Sequence, residues 1–460
     1  MPEHFLTPAG HPAAAATKLR SVLLLCYHYP PSKEVGGKRV LALAKFLAAR
    51  DIAVTIVTGS VGAIPPSEFD DRITVRQIAD PKPLAIGLLV NGKRRMRSFL
   101  FFRKGIDRPE GTTGNTAHAS SAPQESALGL KHWFFRFVHV VDDHKKWAWI
   151  TARRTVEIGH ERAVDLIWAS GPPMSGLLAA ANAAKRLNCP LIMDLRDPWL
   201  YPGNPPLLRM EARVARRLER FVVKQAAAIV STSPGLTMAL QARYPDKSDR
   251  IHTVMNGFDG QPAARSTDTQ GRLRIVFAGA LYYNRDPFPF FAALDELLGT
   301  PGVDASKVEV IFVGECDSYK GRDLKTALAG TRSGQVVQIR PPVAASEVAR
   351  IYEQATVLLN FAQGQLIQVP AKTFEQLTAG RELLIICEAQ SDTARIARQI
   401  PGVRVVVPGD QAGLRGALED LYRRHVTEGT LTPPDLTGIA QFSRDSQNEK
   451  LLEIFRSPLK

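Results

Sequence analysis

The sequence is sparing with cysteine, with long apolar runs and with grouped acids, and each scarcity excludes something. Four cysteines, Cys26, Cys189, Cys316 and Cys387, lie far apart among 460 residues. No pair has the spacing of a metal site and the density is far below that of a disulfide scaffold, so free thiols in a reducing cytosol are expected. No uninterrupted apolar run approaches the ~18 residues of a membrane-spanning helix. Residues 1–19 carry Pro, Gly and an Ala run without an apolar stretch of signal length, and read as a disordered lead-in. Asp and Glu number 45 against 59 Lys and Arg, and no group of them has metal-binding spacing, so neither a metal nor another cofactor is expected. The formal net charge of +14 calls for an anionic partner: nucleotide phosphates, a lipid surface or nucleic acid. The basic residues form no recognised nucleic-acid module, which sets the last aside.

What is present is the balance of a globular protein, 45% hydrophobic and 23% charged, at a length that suits two or three domains. Short apolar runs at 22–26, 53–57, 164–168, 191–193 and 226–230 alternate with helical patterns. The alternation restarts at 273–278 and continues at 308–313, 336–339, 356–360, 383–387 and 403–407. Runs this continuous are strands buried on both faces, as in parallel sheets covered by helices. Residues 260–271 have linker composition. The expected fold is therefore α/β, with two doubly wound Rossmann-like domains at 20–262 and 270–435. A last helical pattern at 439–455, within a segment 436–460, falls after the second sheet is complete and has the option of crossing back to the first domain.

One region breaks the alternation. Between about 81 and 130 lies an insertion containing a basic and aromatic stretch, 93–104, with six Lys or Arg in Lys93, Arg94, Arg95, Arg97, Arg103 and Lys104. Such charge interleaved with Phe99, Phe101 and Phe102 suits an anionic membrane surface.

Several segments carry chemistry. The first strand runs into Gly36-Gly37 and a helix in which Val40, Leu43, Ala44 and Leu47 recur at helical spacing. Glycines at a helix start let a phosphate approach the free N–H groups. Lys38 and Arg39 in the first turn oppose the helix dipole unless an anion compensates. Asp194, Arg196 and Asp197 follow the fourth of those runs, at the carboxyl end where open α/β sheets bind ligands. His144 lies in the dense run Val141-Asp142-Asp143-His144-Lys145-Lys146-Trp147. In the second half, Gly279 ends a strand and Arg285 follows within reach of a diphosphate. Lys372 opens a helix after Pro370, with Glu375 one turn on and Gly380 as its cap. His28, His132 and His144 are the histidines from which a base is to be sought.

Taken in order, the segments "YHYPPSKEVGGKRVLALAKFLAARDIAVTIVT", "VDDHKKW", "DLIWASGPPMSGLLAA", "LIMDLRDPW", "STSPG", "VMNGFD", "FAGALYYNRDP" and "VPAKTFEQLTAG" resemble glycosyltransferase family 4, within the GT-B enzymes. The likeness is strongest to members with a glycosyltransferase-4-like N-terminal domain, often found in cell-surface polysaccharide gene sets. It spans residues from about 21 to 445. It implies a metal-independent, retaining hexosyltransferase that takes a nucleotide-diphosphate sugar as donor and a saccharide or lipid-linked acceptor. Such an enzyme is cytoplasmic or peripheral on the inner membrane face. By this resemblance Arg285 and Lys372 hold the donor diphosphate, Gly36, Gly37 and Gly279 border it, and Glu375 binds the ribose. Asp194, Arg196, Asp197 and His144 are left for the acceptor side of the cleft.

Two positions depart from the family pattern. Ala280 stands where an Arg is common, and Ile367 where the first of two paired Glu is common, with Gln365 and Gln368 as substitutes. These departures keep two other readings open: a catalytically silent nucleotide-sugar-binding or scaffold protein, and a nucleotide-sugar epimerase or hydrolase on the same fold.

Overall fold

A computed structural model describes residues 19–32, 35–63, 70–81, 141–199, 209–261, 263, 271–282, 284–430, 434–435 and 437–459. The basic stretch 93–104, the insertion that contains it, His132 and nearly all of the lead-in lie outside the described residues.

The first half builds strands β1 (Ser21–Cys26), β2 (Ala53–Thr58), β3 (Ile73–Gln77), β4 (Leu166–Gly171), β5 (Leu191–Leu195), β6 (Ala226–Ser231) and β7 (Ile251–Thr253). Its helices are α1 (Val35–Ala48), α2 (Lys145–Arg162), α3 (Met174–Leu187), α4 (Arg209–Gln225) and α5 (Pro234–Arg243). The second half builds β8 (Leu273–Ala278), β9 (Val308–Val313), the short strands β10 (Ser318–Tyr319) and β11 (Arg322–Asp323), then β12 (Val337–Arg340), β13 (Val357–Phe361), β14 (Glu382–Ile386) and β15 (Val403–Val406). Its helices are α6 (Phe288–Leu298), α7 (Leu324–Leu328), α8 (Arg332–Val336), α9 (Ala345–Gln354), α10 (Ala371–Leu377), α11 (Asp392–Ala397) and α12 (Gln411–Tyr422), and α13 (Arg444–Arg456) closes the chain.

Two sheets result, ordered β3-β2-β1-β4-β5-β6-β7 and β12-β9-β8-β13-β14-β15, with parallel pairing throughout. The apolar runs make them because alternate residues of a strand face opposite layers of helices. Leu23 and Leu25 of β1 join one core with Trp147 of α2, while Val22, Leu24 and Cys26 join another with Leu43 and Leu47 of α1. In β8, Ile275 and Phe277 face the α6 side and Val276 and Ala278 the other. The doubly wound α/β architecture read from the sequence is the one observed.

Strand order reverses between β1 and β4 in the first sheet and between β8 and β13 in the second. Such reversals open a crevice at the carboxyl ends of the strands. Gly36 and Gly37 follow β1, and Gly279 follows β8, so both lie at these points.

β3, β7 and the β10–β11 pair have no counterpart among the anticipated runs. Each is short or mixed in polarity, as edge strands are. The helix anticipated at 439–455 is divided: a 3-10 turn, Ile439–Phe442, stops at Ser443, whose hydroxyl caps α13 by accepting from the Ser446 N–H. α13 lies against α1, with Leu451, Leu452 and Phe455 in the first domain's core and Gln447 accepting the Met255 N–H at 2.7 Å. Among the described residues no helix is long and apolar enough to cross a membrane.

Candidate functional site

α1 begins at Val35, so Gly36 and Gly37 form its first turn and do not precede it. The room their missing side chains leave is used by the protein. A Cβ on Gly36 would stand 1.9 Å from Nη1 of Arg196, and one on Gly37 would stand 3.4 Å from the Tyr29 Cα. The cations of this turn have found carboxylates. Lys38 meets Glu375 across the cleft at 3.7 Å, both side chains about half exposed. Arg39 is buried, donating to Asp194 Oδ1 at 2.8 Å and to the carbonyls of Met255 and Val254 at 2.8 and 3.0 Å.

That arrangement corrects the place expected for Asp194. It is fully buried, and its second oxygen accepts from Ser170 Oγ at 2.7 Å, so it anchors α1 to β5 and β4 instead of lining the crevice. A buried ion pair of this kind resists removal of either partner, since the survivor is left charged and unpaired.

Arg196 and Asp197 follow β5 and part company: Arg196 turns toward α1, and Asp197 toward the second domain. The Arg196 guanidinium lies over Gly36 and donates to the Pro172 carbonyl. Burial lowers its pKa, against the attraction of Asp194 and Asp197. Asp197 accepts from Gln368 of the opposite domain, and burial raises its pKa against the pull of Arg196 and Gln368. Asp142, Asp197 and Trp199 of the first domain and Tyr282, Gln365 and Gln368 of the second line an open cavity of about 850 Å³.

His144 stands at the start of α2 and is held by its neighbours. Its Nδ1 lies 2.6 Å from Asp80 Oδ2, which also accepts from Tyr27 Oη at 3.0 Å, and the Tyr27 ring sits 3.9 Å from the imidazole. Asp142 accepts from the His144 and Ser175 N–H groups at 2.9 and 2.8 Å, tying the start of α2 to that of α3.

The second domain supplies the cationic half. Gly279 has φ +148°, and a Cβ there would be 3.1 Å from Lys372 Nζ. Lys372 is partly exposed along its stem, but its ammonium is buried over the Phe277 ring, 4.2 Å from the centroid. Among the described residues the ammonium has no hydrogen-bond partner. Burial first and Arg285 second hold its pKa well below the usual lysine range, with Cys316 acting the other way. Arg285 is itself buried, stacked 4.0 Å over the Tyr282 ring and donating to the Ala280 carbonyl at 3.3 Å. Two cations thus share a small buried space at the end of β8, a charge distribution that an anion would complete.

The halves are also joined lower in the cleft. Gly235, in the first turn of α5, donates its N–H to Asp392 Oδ2 at 2.7 Å, and Ser233 Oγ donates to the Ile367 carbonyl at 2.7 Å. Asp392 is buried at the start of α11, so one carboxylate serves a helix terminus in the other domain. Asp80 and Asp392 were not named from the sequence, while Tyr27, Asp142, Trp199 and Tyr282 stood within the candidate segments without a role of their own. Of the two unnamed residues only Asp392 carried a local signal, a Ser-Asp pair at a helix start.

The fold and this cleft define a GT-B architecture: two Rossmann-like domains facing one another, with the buried cations of Lys372 and Arg285 on the second. Residues 36–257 match the model of the glycosyl transferase 4-like domain. Among solved structures, Anabaena HepE in complex with UDP aligns with a TM-score of 0.59 at 14% identity, covering 95% of this chain and 100% of that one. A UDP-forming α,α-trehalose-phosphate synthase from Burkholderia xenovorans aligns at 0.55 and 13%, covering 95% and 99%. A putative UDP-N-acetylglucosamine 2-epimerase from Listeria monocytogenes aligns at 0.50 and 10%, covering 96% of each. No curated protein sequence matches the chain.

Proposed function

We propose that the protein is a glycosyltransferase that moves a sugar from a nucleotide-diphosphate sugar onto an acceptor held in the cleft. The observation that carries this reading is the buried ammonium of Lys372, next to the buried Arg285 and without a hydrogen-bond partner among the described residues. A diphosphate placed there converts a costly pair of like charges into charge-assisted hydrogen bonds. As the glycosidic bond to the diphosphate breaks, negative charge grows on the leaving oxygen, where these fixed cations are already aimed. They do the work for which other transferases use a divalent ion, so the reaction is metal-independent. Gly279, with no side chain, lets the diphosphate approach the end of β8, and Glu375 accepts from the ribose hydroxyls. The likeness to glycosyltransferase family 4 supports retention of anomeric configuration.

The acceptor lies in the cavity between the two domains. Asp197, Trp199, Tyr282, Gln365 and Gln368 offer ring faces and uncharged amides beside one carboxylate, which suits the hydroxyls and apolar faces of a sugar. Gln365 and Gln368 take the place of a second acidic residue on the donor side. A role in cell-surface polysaccharide or glycolipid synthesis, on the cytoplasmic side, follows from a saccharide or lipid-linked acceptor. The test is to incubate the protein with nucleotide-diphosphate sugars and a lipid extract in the presence of EDTA. Glycosylated lipid with release of nucleoside diphosphate is expected. An epimerised nucleotide sugar formed without any acceptor would replace this reading with the isomerase one.

A further inference from the structure

α4 is built unlike the other helices of the first domain. Its two acids both point inward: Glu211 is buried, and Glu219 is fully buried and accepts twice from Arg243 of α5 at 3.0 Å. Its cations Arg213, Arg216, Arg217, Arg220 and Lys224 are all exposed. At about 100° per residue these five fall within roughly 100° of the helix circumference, along about 16 Å of its axis. Among the described residues none of the five has an ion-pairing carboxylate. Met210, 45% exposed, continues the same sector one turn nearer the cleft. A solvated helix face mixes charges of both signs, and this one has a single sign with an apolar residue at its end.

Position gives the row a use. Val222 on the opposite side of α4 and Val223 at the edge of the row pack into the first domain's core, so the cations are held on a rigid element. Its start is joined through residues 200–208 to Trp199, which lines the cleft, and from there it runs back to β6. We propose that the outer face of α4 docks the protein on an anionic lipid surface, which sets the mouth of the cleft beside a lipid-borne acceptor. The acceptor part of this inference rests on the transferase reading. A straight row of cations on one helix fits a flat anionic plane, and Met210 adds shallow insertion. The face offers no exposed aromatic ring on which nucleic-acid bases would stack.

The experiment is vesicle co-sedimentation of the full chain, with phosphatidylglycerol mixed into phosphatidylcholine or with phosphatidylcholine alone. Binding to the anionic vesicles only, weakening as salt is raised, is expected. The variant R213Q/R216Q/R217Q/R220Q keeps long helix-forming side chains, and its affinity should fall at least about a hundredfold, since each cation near such a surface contributes about fivefold. The matching Arg→Lys variant should bind like the wild type. Unchanged far-UV circular dichroism and an unchanged melting shift with UDP show that both variants are folded. The proposal is overturned if the wild type ignores anionic vesicles, if it binds neutral ones equally, or if the Gln variant binds undiminished. Displacement from the vesicles by a DNA duplex at lower phosphate concentration would assign the face to nucleic acid instead. Vesicle binding needs no nucleotide, so its failure leaves the transferase reading standing. Loss of UDP binding with vesicle binding intact would do the reverse.

Discussion

Replacing Lys372 with Met separates what this residue does for the empty protein from what it does for a bound nucleotide. Met keeps the stem over Phe277 and removes only the ammonium. In the empty protein that ammonium is buried, lacks a hydrogen-bond partner among the described residues and lies next to Arg285. An effective cost of several kcal/mol attaches to a buried ion, while its contact with the Phe277 ring returns ~2 kcal/mol at most. Met also retains a favourable sulfur contact with the ring. The variant should therefore be more stable by about 1–3 kcal/mol. For domains of this size that raises the melting midpoint by roughly 2–12 °C. With UDP the sign inverts: losing a charge-assisted hydrogen bond costs ~1.5–3 kcal/mol, or roughly 10–150-fold in affinity. At a UDP concentration about 100 times the wild-type Kd, the ligand's stabilisation should drop from ~2.7 kcal/mol to ~0.3–1.4 kcal/mol. Differential scanning calorimetry with and without UDP reads both quantities. A variant that is less stable when empty, or one that keeps the full UDP shift, would refute the reasoning.

Three further outcomes follow from the same contacts. Because the Lys372 pKa is depressed in the folded, empty protein, the unfolded chain holds its proton to higher pH. Stability should then rise with pH through that window, whereas UDP affinity should fall, since a bound diphosphate raises the pKa and takes up a proton; titrations from neutral to alkaline pH on wild type and Lys372→Met check both. Arg39→Met leaves Asp194 charged in the core and should cost about 3–5 kcal/mol in urea unfolding, with Asp194→Asn in the same chain recovering part of it. Asp392→Ala strips the Gly235 N–H of its acceptor and should destabilise by about 1–2 kcal/mol; small-angle scattering should show a larger radius of gyration as the domains part, and an unchanged radius would mean this contact does not hold them together.

Most of the fold was legible because strands in parallel sheets are buried on both faces and so appear as unbroken apolar runs. β1, with five of its six residues buried, is typical. β3 was missed because an edge strand is half wet, and its sequence Ile-Thr-Val-Arg-Gln alternates in polarity over only five residues. The two buried cations were also legible as candidates, since Arg285 follows a strand end and Lys372 opens a helix. What the sequence concealed were the partners. Lys38 and Arg39 oppose the α1 dipole as expected, yet the anions that compensate them are Glu375 and Asp194, 337 and 155 residues away along the chain. Likewise, nothing local to Asp80 foretells His144, and nothing local to Gln368 foretells Asp197. Those pairings exist only once two sheets have brought their carboxyl ends to one crevice.

The central claim is that Lys372 and Arg285 form a diphosphate site that works without metal. Calorimetric titration of the protein with UDP, ADP, GDP and UMP in EDTA tests it most directly. The account predicts one site that binds at least one of the diphosphates, with UDP at least about tenfold tighter than UMP if uridine is the base it accepts. If none of the three diphosphates binds in EDTA, or UMP binds as tightly as UDP, the claim is contradicted.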